Sequence, residues 1–254
     1  MNPRRDLDGL RVAVLGSTSG IGRAVALAVG SAGADVIVHG RASVDAAEGV
    51  AGEVRRAGGR SAVLMADLAD RAEGDRLVDR AWDLWGGLDA WLHLAGADTL
   101  TGDAAGLPFD AKLDRLWAVD VAATVRLCRS VGRRMKGAGG GSIVTMGWDQ
   151  AETGMEGDSG ELFAATKGAI LAFTRSLALS LAPEVRVNAL APGWIRTAWG
   201  DTASKSWQDR VVRETPLARW GTPEDVAQAA LFLVGPGSGF FTGQVVRVNG
   251  GAVR

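Results

Sequence analysis

A doubly wound parallel α/β sheet, covered by helices on both faces, is the architecture this sequence predicts, and three observations predict it. Short β-rich apolar runs alternate with longer helical patterns from one end to the other. A glycine-rich turn joins the first apolar run to the first helical pattern, the position at which such sheets bind ligands. No repeat, low-complexity tract or linker divides the chain, so its 254 residues are expected to form one domain, 1–254.

The strands expected are residues 11–15, 35–39, 61–65, 88–94, 142–146, 185–190 and 244–248, each rich in Val, Ile, Leu or Ala. Helices are expected over 20–30, 44–57, 72–85, 110–136, 160–181 and 223–234, with another over 203–214, where apolar residues recur at three- and four-residue spacing. Right-handed crossovers between parallel strands then give a Rossmann-type sheet of about seven strands. The run 137–141 is read as the entry to a strand rather than a linker.

Composition excludes several classes of function. With 47% hydrophobic and 22% charged residues the chain can bury a large core. A formal charge of −1 and no long Lys/Arg run argue against a nucleic-acid partner. The single cysteine, Cys128, cannot close an internal disulfide and falls in an apolar helical pattern, which suits a buried structural thiol in a reducing cytosol. No Cys/His cluster has metal-ligand spacing, so no metal is expected. Residues 1–8 lack the apolar stretch of a signal peptide, and no later run is read as the ~20 apolar residues that cross a bilayer. A cytoplasmic protein without a membrane partner is expected.

Gly16-Ser17-Thr18-Ser19-Gly20-Ile21-Gly22 follows the first strand and opens a helix. In that setting glycine lets the backbone approach a pyrophosphate, and the helix N-terminus offers free N–H groups and a favourable dipole. At the end of the second strand the chain reads Val38-His39-Gly40-Arg41. No carboxylate is available there to accept ribose hydroxyls, whereas Arg41 can pair with a 2′-phosphate, so NADP(H) is expected over NAD(H).

These marks, with others that follow in order, resemble the short-chain dehydrogenase/reductase family over almost the whole chain. Asp67 matches the aspartate that lies against the adenine, and Leu68 follows it. His93-Leu94-Ala95-Gly96 is similar to the Asn-Asn-Ala-Gly element after the fourth strand, with Ala95 and Gly96 retained. Pro192-Gly193 with Thr197 resembles the Pro-Gly-x-x-x-Thr segment over the nicotinamide, and Thr242-Gly243 with Asn249-Gly250-Gly251 resembles the C-terminal strand and its boundary. The resemblance implies a dinucleotide held by Gly16, Ser17, Ser19, Gly20, Ile21, Gly22, Arg41, Asp67, Leu68, Ala95, Gly96, Lys167, Pro192, Gly193 and Thr197. It also implies a homotetramer or homodimer built through the helices 110–136 and 160–181.

The family's proton-transfer machinery is altered. A Tyr-x-x-x-Lys pair is implied on one helix, but the segment reads Phe163-Ala164-Ala165-Thr166-Lys167, and the sequence contains no tyrosine. Phe163 and Lys167 stand four apart, on one helical face. Trp148 aligns with the catalytic serine, and counting back from Phe163 reaches Gln150 instead; neither has a hydroxyl. Asp120 replaces the expected asparagine. Asp149, Asp120 or Lys167 is left as a substitute acid, and Trp148, Gln150 and Trp194 as substrate contacts. Asp149, Glu152, Glu156, Asp158 and Glu161 crowd one loop with no intervening Lys or Arg, which is read either as attracting a cationic substrate or as a solvated acidic loop. Two functions follow: an NADP(H)-dependent oxidoreductase that reduces an imine, a protonated heterocycle or a carbonyl with a non-standard proton donor, or a catalytically inactive dinucleotide-binding regulatory protein. Non-redox chemistry on the same fold is a third.

Overall fold

The computed structural model describes residues 6–252. Seven strands, β1 (Arg11–Leu15), β2 (Asp35–Gly40), β3 (Ser61–Met65), β4 (Ala90–His93), β5 (Gly141–Met146), β6 (Val185–Pro192) and β7 (Val245–Val248), form one parallel sheet in the order β3-β2-β1-β4-β5-β6-β7. Each expected strand is present, with ends displaced by two residues or fewer. The sheet order reverses direction between β1 and β4, so the loops leaving these two strands diverge and open a crevice at the carboxyl edge.

Both faces of the sheet are covered because alternate strand residues are apolar on both sides. Val12, Val14, Val36, Val38 and Leu92 join one buried cluster, which takes in α1 (Gly20–Ser31), α2 (Val44–Arg56) and α9 (Pro223–Val234). Ala13, Leu15, Ile37 and Trp91 point the other way, into a second cluster with α3 (Arg71–Leu84), α5 (Ala123–Gly137) and α6 (Asp158–Leu181). Period-2 alternation thus feeds two cores at once.

Helix starts follow local chemistry. Asp70 accepts the Glu73 N–H at 3.0 Å, and Thr222 with Asp225 forms a reciprocal capping box ahead of Pro223. One expectation fails in an informative way. The helix read as continuous over 110–136 is α4 (Phe109–Leu116) and α5 joined by a wider, π-type turn over Trp117–Ala122, and that turn carries Asp120. Wide turns of this kind cluster at functional sites. Two short helices, α7 (Ala198–Thr202) and α8 (Lys205–Glu214), lie between β6 and α9; α7 is absent from the sequence expectations. By length and composition alone α6 could cross a membrane, with a mean hydropathy of 1.3 over its best 18-residue window, a property the sequence reading overlooked. In the fold, its Leu162, Ile170, Leu171, Leu177 and Leu181 are buried in the interior.

Candidate active site

The crevice at the carboxyl edge of the sheet is a cavity of about 810 Å3. Its floor is the turn after β1. Gly16 and Gly20 adopt φ of +73° and +51°, left-handed values that favour glycine. A Cβ on Gly16 would stand 2.6 Å from the Ala95 Cα, and one on Gly22 only 2.0 Å from the Gly16 carbonyl oxygen. The two glycines therefore allow the β1 and β4 loops, and the turn with its own helix, to close on one another.

Gly16, Ser19, Gly20, Ile21 and Gly22 line the cavity, as do Arg41, Asp67, Leu68, Ala95, Gly96, Lys167 and Thr197. Ser17 does not. Its side chain turns inward, donating to the Val14 carbonyl at 2.7 Å and accepting the His39 N–H at 3.0 Å, so it shapes the turn from behind. Pro192 and Gly193 also lie outside the lining: Gly193 donates to Val248 at 3.0 Å, and a Cβ there would meet Asn249 at 2.7 Å. Arg41 is exposed at the cavity wall and forms no ion pair among the described residues.

Lys167 and Asp120 meet at the inner end. The ammonium stands 2.7 Å from Asp120 Oδ2, and Asp120 Oδ1 accepts the Ala97 N–H at 2.8 Å. Both side chains are nearly buried, at 11% and 2% exposure. The wide turn at Trp117–Ala122 and the bare Cα of Gly96, where a Cβ would be 3.0 Å from Asp120 Oδ2, make room for this contact. Phe163 lines the cavity beside the pair, and the Trp148 ring packs against it edge-on at 6.1 Å between centroids.

Asp149 belongs elsewhere. It is 1% exposed, its N–H donates to the Pro192 carbonyl at 3.2 Å, and its Oδ2 accepts from Asn249 at 3.1 Å, while Oδ1 has no partner. Burial pushes its carboxyl up to about 6. It lies outside the cavity lining, so of the three substitute acids read from the sequence the fold brings Lys167 and Asp120 together and leaves Asp149 apart. Trp148 and Gln150 lie outside the lining too. Trp194 packs with Trp199, Trp207 and Trp220, and it is Trp199, stacked on Trp194 at 6.1 Å, that reaches the cavity wall.

The acidic loop is not a free cluster of charge. Glu152 pairs with Arg175 at 2.5 Å and Arg247 at 2.8 Å, and Glu156 pairs with Arg210 at 2.6 Å. These cations come from distant parts of the chain, so the absence of local Lys or Arg gave a misleading picture. Among the described residues no group of three His, Cys, Asp or Glu side chains is placed to hold a metal ion.

Several lining residues escaped the sequence reading. Arg115 and Val119 stand four residues apart, just before Asp120 in the chain, and that one-turn spacing on a helical face could have flagged them. His39, by contrast, belongs to the strand-end segment singled out from the sequence, and it lines the cavity; burial holds its imidazole pKa down to about 4. His93 is fully buried with neither ring nitrogen bonded, and burial pushes it down to about 3.

The model of the enoyl-(acyl carrier protein) reductase family matches residues 16–253. The chain belongs to the short-chain dehydrogenase/reductase family. Among its relatives it is 31% identical to the 7α-hydroxysteroid dehydrogenase of Escherichia coli K12, over 98% of this chain and 96% of that one. It is 32% identical to the 3-oxoacyl-[acyl-carrier-protein] reductase of Aquifex aeolicus, over 96% and 98%. A solved 7α-hydroxysteroid dehydrogenase, complexed with NADH and 7-oxo glycochenodeoxycholic acid, superposes with a TM-score of 0.88 at 31% identity, over 99% of this chain and 96% of that one. The relatives are oxidoreductases, and the fold described above is that of this family.

Proposed function

We propose that this family member is an NADP(H)-dependent oxidoreductase whose substrate takes up hydride without a proton from a tyrosine. The observation that carries the reading is the Lys167–Asp120 contact of 2.7 Å beside Phe163, in a cavity whose glycine floor leaves the space that a pyrophosphate needs. When bound, the reduced dinucleotide supplies a hydride to an electron-poor carbon. Gly16, Gly20 and Gly22 hold backbone close to the phosphates, and the first N–H groups of α1 face them. Arg41, unpaired at the wall, suits a 2′-phosphate.

At the inner end the chain offers one cationic proton carrier, Lys167, and the adjacent Asp120 neutralises it. An alkoxide forming there would lack the usual phenol and serine, and general acid catalysis is typically worth about 10²–10⁴-fold. An iminium or protonated heterocycle avoids that need, because the positive nitrogen takes the electron pair of the C=N bond as hydride arrives at carbon. Phe163, backed by the Trp148 ring, gives such a substrate an apolar, aromatic wall. A carbonyl substrate would depend on Lys167 for its proton. The closed ion pair also favours a second reading, a cytosolic dinucleotide-binding protein without turnover, since neither partner is free to exchange a proton.

The test is NADPH oxidation against a panel of cyclic imines, oxidised heterocycles and matched ketones, with wild type and Phe163→Tyr. Imines should be reduced in preference to ketones, and Phe163→Tyr should gain activity on ketones. If NADPH binds tightly by titration and neither protein turns over any compound, the binding-protein reading replaces the enzymatic one.

A further inference from the structure

We propose that His39 is a positioning residue for the dinucleotide, holding the turn after β1 in its binding shape by bridging it to the end of β3. The inference rests on the reading of this cavity as the dinucleotide site. His39 is the fifth of the six residues of β2 and is 3% exposed. Its Nδ1 lies 3.1 Å from the Gly16 nitrogen and accepts that N–H, while Nε2 lies 3.1 Å from the Ala66 carbonyl oxygen and donates to it. One ring thus ties the loop after β1 to the loop after β3, across the strand between them.

The backbone of His39 completes the attachment. Its carbonyl accepts the Ser17 N–H at 3.0 Å, and its own N–H donates to Ser17 Oγ at 3.0 Å, with Ser17 Oγ donating on to Val14. The first two N–H groups of the turn are therefore committed inward, to β2. Those that follow, at Ser19–Gly22, are left at the helix start facing the cavity. Gly16 sits at φ +73°, a conformation that a flexible glycine gives up readily once its N–H loses its acceptor.

Only a neutral imidazole can do this, because the bridge needs one acceptor and one donor at opposite sides of a single ring. Protonated histidine has two donors and would confront the Gly16 N–H. Burial, the dominant influence on the ring, keeps it neutral, opposed by the Ala66 carbonyl and by the negative charge of Asp67. Neither Gly16 nor Ala66 needs a particular side chain for these bonds, so the specification lies in His39 alone.

The experiment compares His39→Phe, His39→Asn and His39→Gln in the full chain, by calorimetric titration with NADPH and with 2′-AMP, which lacks the pyrophosphate. Asparagine can place Oδ1 where Nδ1 stood and serve Gly16; glutamine reaches the Nε2 position and serves Ala66 only; phenylalanine keeps the ring and serves neither. His39→Phe and His39→Gln should raise the Kd for NADPH about tenfold or more, which is the scale of one unsatisfied buried donor. His39→Asn should recover most of that loss, and in His39→Phe and His39→Gln the 2′-AMP affinity should fall by a smaller factor than the NADPH affinity. A purely packing role predicts the opposite order, with asparagine the worst and both probes weakened alike, and that result overturns the inference. Should His39→Phe fail to fold, the Asn and Gln proteins still decide it. Wild type that binds NADPH while His39→Gln binds it equally well overturns this inference alone; wild type that binds no dinucleotide overturns the reading of the cavity as well.

Discussion

Separating Lys167 from Asp120 tests the inner end of the cavity, where the proposed function places its proton chemistry. Asp120→Asn is the cleanest cut, because its remaining oxygen can still accept the Ala97 N–H now held at 2.8 Å, so only the ion pair is lost. Asp120 is 2% exposed and Lys167 11%, which leaves water little access to an orphaned ammonium. Breaking a buried pair by removing one partner typically costs about 3–5 kcal/mol, and the retained bond places this change near the lower end. For a chain of this size that is a fall of roughly 6–12 °C in Tm. Lys167→Met should cost a similar amount, since it leaves the carboxylate with one N–H donor. The double mutant should recover part of the loss, with a coupling of about 1–3 kcal/mol. Urea denaturation of the four proteins without cofactor at pH 7.5 measures this cycle. Single-mutant costs below about 1 kcal/mol, or additivity within about 0.5 kcal/mol, would show that the contact carries no stability and refute its description as a buried pair.

Three further outcomes are expected. Gly22→Ala puts a methyl group 2.0 Å from the Gly16 carbonyl oxygen, so the rise in Tm on adding NADPH should vanish even in preparations that remain folded. Arg41→Ala should erase most of the preference for NADPH over NADH, expected to be roughly tenfold, and leave NADH affinity nearly unchanged; equal affinities in wild type would sink the assignment. Asp149 carries a raised carboxyl, about 6 in the fold against an ordinary 3.8, so the folded state holds its proton more tightly than the unfolded chain. That contribution is fully present below about pH 4 and lost as pH rises through 6, about 3 kcal/mol in all. Wild type should therefore lose stability relative to Asp149→Asn across that window, and parallel pH profiles of the two proteins would contradict it.

The fold was legible because period-2 and helical apolar patterns are local, and seven strands were found from them with ends shifted by two residues or fewer. The glycine turn after β1 was legible for the same reason: a glycine turn between strand and helix is read within a few residues. What failed depended on partners distant in sequence. Glu152 and Glu156 read as unpaired because Arg175, Arg210 and Arg247 lie 23, 54 and 95 residues away. Ser17 fits the binding motif, yet its hydroxyl faces the protein interior, since a motif fixes the backbone path and not the side-chain direction. The wide turn at Asp120 left no mark in the periodicity, because one extra residue in a helical turn shifts the apolar pattern by less than the pattern's own scatter.

On the proposed reading, the residues at the positions that the family resemblance marks as catalytic are coupled through contacts and are better understood as one arrangement than as separate losses. Phe163 cannot pair with Lys167, and in the fold Lys167 finds its partner in Asp120, so losing the phenol and gaining the carboxylate answer one another. Trp148 meets the edge of the Phe163 ring, an arrangement that favours two aromatic faces over a ring and a hydroxyl. Phe163→Tyr alone therefore returns a phenol to a lysine already neutralised and a wall already apolar, so its gain on ketones is only partial. The activating effect of Lys167 on a new tyrosine depends on its positive charge being felt by the phenol, and a carboxylate at 2.7 Å cancels much of that field. A chain in which Phe163→Tyr is combined with Asp120→Asn accordingly comes closer to the family's chemistry than either substitution by itself, and the site reads as rebuilt around a neutral Lys–Asp pair rather than merely depleted.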